Sequence, residues 1–466
     1  MEIINLIKNT NSFESLLNIL QETTIKVKDS EIHKNLAVLY TVFTLDNPEL
    51  SSVELECKSI VIQKTPLKVI AYSQPQISYN NYCLVADTEL NKDKKIITES
   101  LEGTAMMMYF YDNKWIIGTR KCVDSSESFW RSKKSHFELV KEVVGDWEEF
   151  CSFHKKDRIY LYVLIHHENR NIIDYTTRFG ESYKKLMLTL TRDTDLFRPT
   201  QIYDFEQNLI PLDSHYTENI NKEYLIVPNL FHGYSILDEF NHVEENINSV
   251  DMIKNEGVLI ISENQNGSES YVKLQTTSFR TYQETSDIKY LPKSSCHYIN
   301  LYQKNSLDLY LGRFKDETYC KGFDEQLYQV KGLIDCIFKV LTSEILFIFK
   351  LLWDVRFGSQ KEDYKDVYMS LSNEYKKIFY SLRGIYFTKR IKDNINNKYV
   401  TMKTVYDLLK EYPPEGIVYL IKDRKNMLQS NESGRIYEIL LEYHKSEYME
   451  KPLRVIDIAV EFILNR

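Results

Sequence analysis

Residues 97–121 read ITESLEGTAMMMYFYDNKWIIGTRK. Two short β-type runs, AMMMYFYD and KWIIGT, flank YDNK, whose Asp-Asn pair suits a tight hairpin turn. Just before the hairpin stand an acid, a glycine and a hydroxyl residue: Glu102, Gly103 and Thr104. Such a group between two strands is where an enzyme keeps its chemistry. A nucleophile at this place belongs at position 100, yet Ser100 has no obvious base beside it in the sequence.

Outward from this hairpin, further β-type runs read VELECKSIVIQ (53–63), LKVIAYSQP (67–75), YCLVA (82–86), RIYLYVLIHH (158–167), EGVLIIS (256–262) and SYVKLQT (270–276). The last two are joined by ENQNGSE, whose Asn-Gly is a strong turn signal. FELVKEVVGDWEEFCSFH (137–154) has helical spacing, as do FESLLNILQ (13–21) and NLAVLYTVF (35–43). From about residue 320 the pattern is almost wholly helical, in LYQVKGLIDCIFKVL (327–341), EYKKIFYSLRGIYF (374–387), TVYDLLKEY (404–412) and RIYEILLEYH (435–444). YPPEGIVYLIK (412–422) is expected to be a loop entering a helix. The expected division is a helical segment over 1–48, a β-rich domain over 49–290 and a helical domain over 291–466, an α+β fold.

Hydrophobic residues make up 43% of the chain, enough to build a packed core rather than a disordered tail. The net charge of −8 excludes a global positive field drawing the chain to nucleic acid, though not a local basic groove. Seven cysteines stand singly, with no CxxC pair, which points to reduced thiols and a cytoplasmic setting. The start lacks a signal-peptide layout. The most apolar segment, 333–353, carries Asp335, Lys339, Glu344 and Lys350, charges that a bilayer span tolerates poorly. A buried helix is expected there, with no membrane association.

The order of the pieces carries more than any one of them. A strand, then xxEGT, a hairpin and TRK, then a strand ending in ENR, then EGVLI, a hairpin and VKL resembles the covalent nucleotidyltransferases. Within them the chain resembles the type 1, bacteriophage branch of RNA ligases, over residues 50–285. The resemblance implies a β-rich adenylation domain in which a lysine attacks the α-phosphate of ATP, with Mg²⁺, before AMP passes to an RNA 5′-phosphate. It also implies a viral source and an infected-cell cytoplasm as candidate settings.

Compared with that family, the nucleophile motif Lys-x-Asp/Glu-Gly-Ser/Thr reads Ser100-Leu101-Glu102-Gly103-Thr104. Serine cannot form the phosphoramidate. The Arg-Gly pair that binds phosphate reads Lys58-Ser59, and Arg-Pro followed by lysine reads Gln74-Pro75 with Ser78. Arg120 keeps its cation, Val163 stands where a ribose-binding acid belongs, and Asn169 and Arg170 remain. Glu256-Gly257 keep the fourth motif, while the final Lys-x-Lys reads Lys273-Leu274-Gln275. The resemblance therefore marks Lys58, Glu102, Gly103, Arg120, Glu256 and Lys273 as nucleotide-binding candidates, with Glu256 as a metal ligand. Lys94 and Lys95 precede the strand IITES and are poorly placed to replace the nucleophile.

A scaffold keeping its fold and losing its chemistry reads as a pseudoenzyme that binds RNA or a protein complex. Its rivals are an active ATP-dependent RNA ligase with an atypical nucleophile, and an assembly subunit with no nucleic-acid role. Basic residues interleaved with aromatics suit single-stranded nucleic acid. They nominate Arg131, Lys133 and Lys134 in FWRSKKSHF, Arg170, and Lys389 and Arg390 in YFTKRIKD. No structural metal is expected. His166 and His167, adjacent on a strand, are expected to face opposite ways.

Overall fold

The computed structural model describes residues 2–42, 50–85, 94–130, 132–169, 171–204, 206, 208–209, 223–231, 256–263, 269–286, 293–357, 363–393, 400–429, 438 and 450–465. These fall into two compact units, Met1–Thr281 and Tyr282–Arg466.

The first unit opens with helices α1 (Glu2–Lys8) and α2 (Phe13–Leu20), followed by strands β1 (Ile25–Asp29) and β2 (Leu36–Thr41). NLAVLYTVF, expected as helix, thus supplies a strand instead. Leu36, Ala37, Val38 and Leu39 are all buried, so this run carries no one-sided stripe. A continuous apolar run reads equally as buried helix or buried strand. The choice is made by pairing with β1 and with β3 (Ile60–Gln63), which β4 (Lys68–Tyr72) extends into an antiparallel sheet. Helix α3 (Ser52–Glu56) is fixed by a capping box between Ser51 and Glu54. Glu54 also accepts the Thr24 amide and hydroxyl, both at 2.7 Å. Burial pushes the Glu54 carboxyl up, but the hydrogen bonds from Thr24 and Ser51 outweigh it and hold the group at about 2.

Two further sheets flank the cavity considered below. The larger runs β11-β10-β9-β7-β8, from β7 (Thr104–Tyr111), β8 (Lys114–Thr119), β9 (Arg158–His166), β10 (Lys184–Asp193) and β11 (Pro199–Gln201), with β12 (Leu225–Ile226) beside β10. The YDNK turn is a hairpin as expected, with Asp112 at φ 48° and Asn113 at φ 59°. The smaller sheet runs β5-β14-β13-β6, from β5 (Ser78–Tyr79), β6 (Lys94–Ser100), β13 (Gly257–Glu263) and β14 (Glu269–Gln275). The Asn-Gly turn between β13 and β14 lies outside the described residues. Alternation along β7 sets the packing: Met107 and Tyr109 join the core under α1, α2 and the first sheet, while Met106 and Met108 pack with α4 (His136–Val144) and α5 (Trp147–Ser152). Gly145, at φ 73°, separates these two helices.

The second unit is mainly helical: α8 (Ser295–Gln303), α9 (Leu307–Arg313), α10 (Val330–Phe357), α11 (Asp363–Ser370), α12 (Asn373–Asp393), α13 (Met402–Glu411), α14 (Pro414–Gln429) and α15 (Glu450–Leu464). Between the units' sequences lie α6 (Thr176–Phe179) within the first and α7 (Thr277–Ser286) at the division. The second unit is not wholly helical. Residues Tyr319–Lys321 and Leu327–Gln329 form a hairpin, β15–β16, so LYQVKGLIDCIFKVL begins as strand and turns helical only at Val330. RIYEILLEYH lies outside the described residues except for Glu438. The apolar run at 333–353 is the buried helix expected: α10 contributes Leu333, Ile337, Leu341, Ile345 and Ile348 to the core. Among the described residues no helix is long and apolar enough to cross a membrane. Glu344, fully buried on α10, accepts the Arg424 Nε at 2.8 and 3.0 Å, which is what lets both charges stay inside.

Gly103 lies in the short link from β6 of the smaller sheet to β7 of the larger, packed against β9. A Cβ there would lie 2.5 Å from the Leu164 carbonyl oxygen and 2.6 Å from Val163 Cγ1. Gly103→Ala is expected to cost about 1–3 kcal/mol through forced backbone movement, read as a lower urea midpoint for unfolding.

Candidate functional site

The β6 strand ends in Glu99 and Ser100, both 5% exposed, and its register places Ser100 opposite Gly257 and Gly257 opposite Gln275. Gly257 allows this contact: at φ 152°, a Cβ would sit 1.9 Å from the Leu274 carbonyl oxygen. Glu256 is thereby brought over the row. Ser100 Oγ donates to Glu256 Oε2 at 2.8 Å, Lys273 Nζ to both carboxylate oxygens at 3.1 Å, and Gln275 Nε2 to Oε1 at 3.2 Å. Asn80 completes the set, donating to Gln275 Oε1 at 3.2 Å and accepting its backbone amide at 2.8 Å.

Ser100, Glu256 and Lys273 of this network form the floor of a cavity of about 310 Å³ between the two sheets, with apolar walls from Met106, Met107, Leu161, Val163, Met187 and Ile261. Lys58 and Arg120 line it as well. The three cations differ in state. Burial opposes the charge on Lys273, but the Glu256 carboxylate outweighs it and raises the ammonium's pKa. Arg120 Nη2 donates to the Thr41 carbonyl at 2.8 Å, while its buried Nε finds no acceptor among the described residues. The Lys58 side chain makes no hydrogen bond or ion pair among them. Burial first, then the Lys273 and Arg120 charges, push its amine down to about 7 against the pull of Glu256. The amine therefore titrates near neutral pH.

The remaining acids are occupied. Glu99 takes a bidentate pair from Arg178, at 2.8 and 2.9 Å, and accepts the Asn229 amide at 2.9 Å. Glu102 accepts the Ile173 amide at 2.8 Å. With Glu256 oxygens bonded to lysine, glutamine and serine, these carboxylates do not fit a resident divalent ion. Lys58 and Arg120, which still have donors to give, fit a phosphate-class anion. Tyr79, 53% exposed at the rim, offers an aromatic face, with the Lys273 ammonium 5.8 Å from its centroid.

The structure thus gathers Lys58, Glu102, Gly103, Arg120, Glu256 and Lys273 around one cavity, together with Ser100, Gln74 and Val163. Ser78 pairs with Val272 outside the lining. Lys94 and Lys95 lie at the opposite end of β6, a strand length of about 17–20 Å from Ser100. Lys133 is exposed, whereas Lys134 is bonded to Glu142 and, at 2.7 Å, to Glu168. Arg131 and Arg170 lie outside the described residues. Lys389 and Arg390 fall on the backbone of α12, their side chains undescribed. The Glu99–Arg178 pair and Tyr79 were not singled out from the sequence. The pair joins residues far apart in the chain, with no motif linking them, and Tyr79 is one of 34 tyrosines.

His166 and His167 depart from expectation. β9 ends at His166, so strand alternation no longer applies, and the rings stack with centroids 4.7 Å apart. With Glu168 they bring potential ligand atoms within 4.8 Å of one another. His166 Nδ1, however, accepts the Glu168 amide at 3.1 Å, and burial holds the ring neutral with a pKa of about 4. Lys134 and Lys184 already neutralise the nearby Glu142 and Glu168.

No family model matches the chain, and no curated protein matches it. Among solved structures it is similar to an archaeal ATP-dependent RNA ligase in two forms, each 14% identical with a TM-score of 0.40 over 68% of this chain and 72% of that one. A putative ATP-dependent DNA ligase from Aquifex aeolicus is 12% identical, with a TM-score of 0.36 over 65% and 76% of the two chains. A mutant Naegleria gruberi RNA ligase with AMP and Mn is 10% identical, with a TM-score of 0.30 over 57% and 98%.

Lys58 leaves a thermodynamic signature. Its folded pKa lies below its unfolded value, so at low pH the folded state alone bears the cost of charging it, and that cost fades as pH rises above about 7. Lys58→Met is expected to raise the melting temperature at pH 6.5, with the gap over wild type closing toward pH 10.

Proposed function

We propose that this chain is an RNA-ligase-like protein whose cavity binds a nucleotide, and that Ser100 takes no part in transferring it. The observation that supports this is the bond from Ser100 Oγ to Glu256 inside a filled network. A serine beside a carboxylate can be an activated nucleophile, provided the carboxylate can accept its proton. Both Glu256 oxygens are already engaged, by an ammonium at each and an amide at one, so the carboxylate is held by structural bonds. The motif route to a covalent intermediate is therefore closed at residue 100, as in a pseudoenzyme. What persists is a phosphate-attracting floor under apolar walls, with an aromatic rim.

Outside the cavity, the partner class is RNA. Phe129 and Trp130 are 59% and 52% exposed beside the exposed Lys133, which suits base stacking with phosphate contact. If RNA binds through such contacts, its retention falls steeply between 50 and 200 mM salt, as counterion release requires. Retention that ignores salt, or none at low salt, favours an assembly subunit instead.

Equilibrium dialysis with ATP tests the cavity. Lys273→Ala is expected to weaken binding about 10- to 100-fold, the loss typical of a charged hydrogen bond, while Ser100→Ala changes it by less than about three-fold. Absence of ATP binding by the folded wild-type chain would sink the reading.

A further inference from the structure

Among the described residues, one amine lining the cavity has no hydrogen-bond or ion-pair partner. Lys94 and Lys95 are at the wrong end of their strand, and Lys273 is held as an ammonium by Glu256. Lys58 enters from the connection between α3 and β3, faces the same floor, and makes no hydrogen bond or ion pair with its side chain among the described residues. Its neighbours in the electrostatic sense are Lys273, Arg120 and Glu256, so two fixed positive charges and one negative charge act on it from β14, the end of β8 and the start of β13. Burial and the two cations lower its pKa to about 7, so a substantial share of the amine is unprotonated near neutral pH, and the same cations attract a polyphosphate.

Residue type matters here. An arginine at position 58 would bind phosphate but never lose its proton, whereas a lysine can do both. The chain therefore combines two departures from the RNA-ligase pattern: no amine at position 100, and a deprotonatable amine at position 58 in place of a permanent cation. These departures complement each other.

We propose that Lys58 has taken over the role that residue 100 lacks: its Nζ attacks the α-phosphorus of a nucleoside triphosphate held in this cavity. The inference rests on the nucleotide reading given above. The neutral amine supplies the electron pair, and an N–P bond forms as the bond from the α-phosphorus to the bridging oxygen of the β-phosphate breaks. Pyrophosphate leaves with that bonding pair, together with the divalent cation that accompanied the triphosphate. The nitrogen loses one proton to water, and the product is a lysine phosphoramidate of the nucleoside monophosphate. Lys273 and Arg120 serve as positioning residues that offset the charge growing on the transferred group.

The test incubates the full chain with MgATP labelled on the α-phosphate and then separates it on a denaturing gel. A label that survives denaturation, is lost in acid, is absent when the γ-phosphate carries the isotope, and maps by peptide mass spectrometry to Lys58 is expected. Labelling should vanish in Lys58→Arg, which can still bind phosphate but cannot lose its proton, and persist in Ser100→Ala. Its rate should climb with pH and level off above about 7. Dialysis on the same Lys58→Arg protein separates the failures. If wild type binds ATP but acquires no label, or the label maps elsewhere or survives in Lys58→Arg, the nucleophile assignment is wrong and the nucleotide reading stands. If the folded wild type binds no ATP, both fall.

Discussion

The carboxylate of Glu256 is the point on which the first unit's site depends. Three strands meet there: β6 brings Ser100, the start of β13 brings the acid, and β14 brings Lys273 and Gln275. A buried carboxylate is costly unless every lone pair is met by a donor, and here serine, lysine and glutamine meet them. The same bonds set the charges around the cavity. The Glu256 carboxylate holds Lys273 as an ammonium, while burial and the Lys273 charge lower the pKa of the Lys58 amine. A change at Glu256 would therefore be felt as a change in the protonation of a lysine it does not touch.

Much of the architecture was legible in the sequence because turn chemistry and alternation are local. Asp112 and Asn113 announce their hairpin, and the charges within 333–353 keep that helix inside a protein. VELE and YCLV, read as strand, are helical, and two other misreadings share a cause. LAVL at 36–39 is buried on both faces, and LYQ at 327–329 pairs for three residues before the helix begins. In neither case does periodicity distinguish the outcomes, because partners distant in sequence choose between them. NLAVLYTVF becomes strand because β1 and β3 lie on either side of it.

The site divides along the same line. Glu102-Gly103 and Glu256-Gly257 could be read as a spaced pair, and the structure puts both at one cavity. That Ser100 is bonded to Glu256, or that the Lys58 side chain has no bonded partner among the described residues, is a property of juxtaposition and has no signature in residue order. A lysine reads as a cation in sequence; whether it keeps its proton is decided by the dielectric and charges that folding assembles. The histidine pair shows the reverse error, where a sound rule about strands was applied one residue beyond the strand's end.

The tight seat of Gly103 against the Leu164 carbonyl bears on how such a site changes over time. The Leu164 carbonyl and the Val163 side chain leave no room for a Cβ at this link between β6 and β7, so the link is held against β9 independently of the polar residues of the floor. The floor can be refurnished one residue at a time while its dimensions hold. Chemistry can then migrate between strands, since a group lost from one wall leaves room of unaltered shape for a group arriving from another.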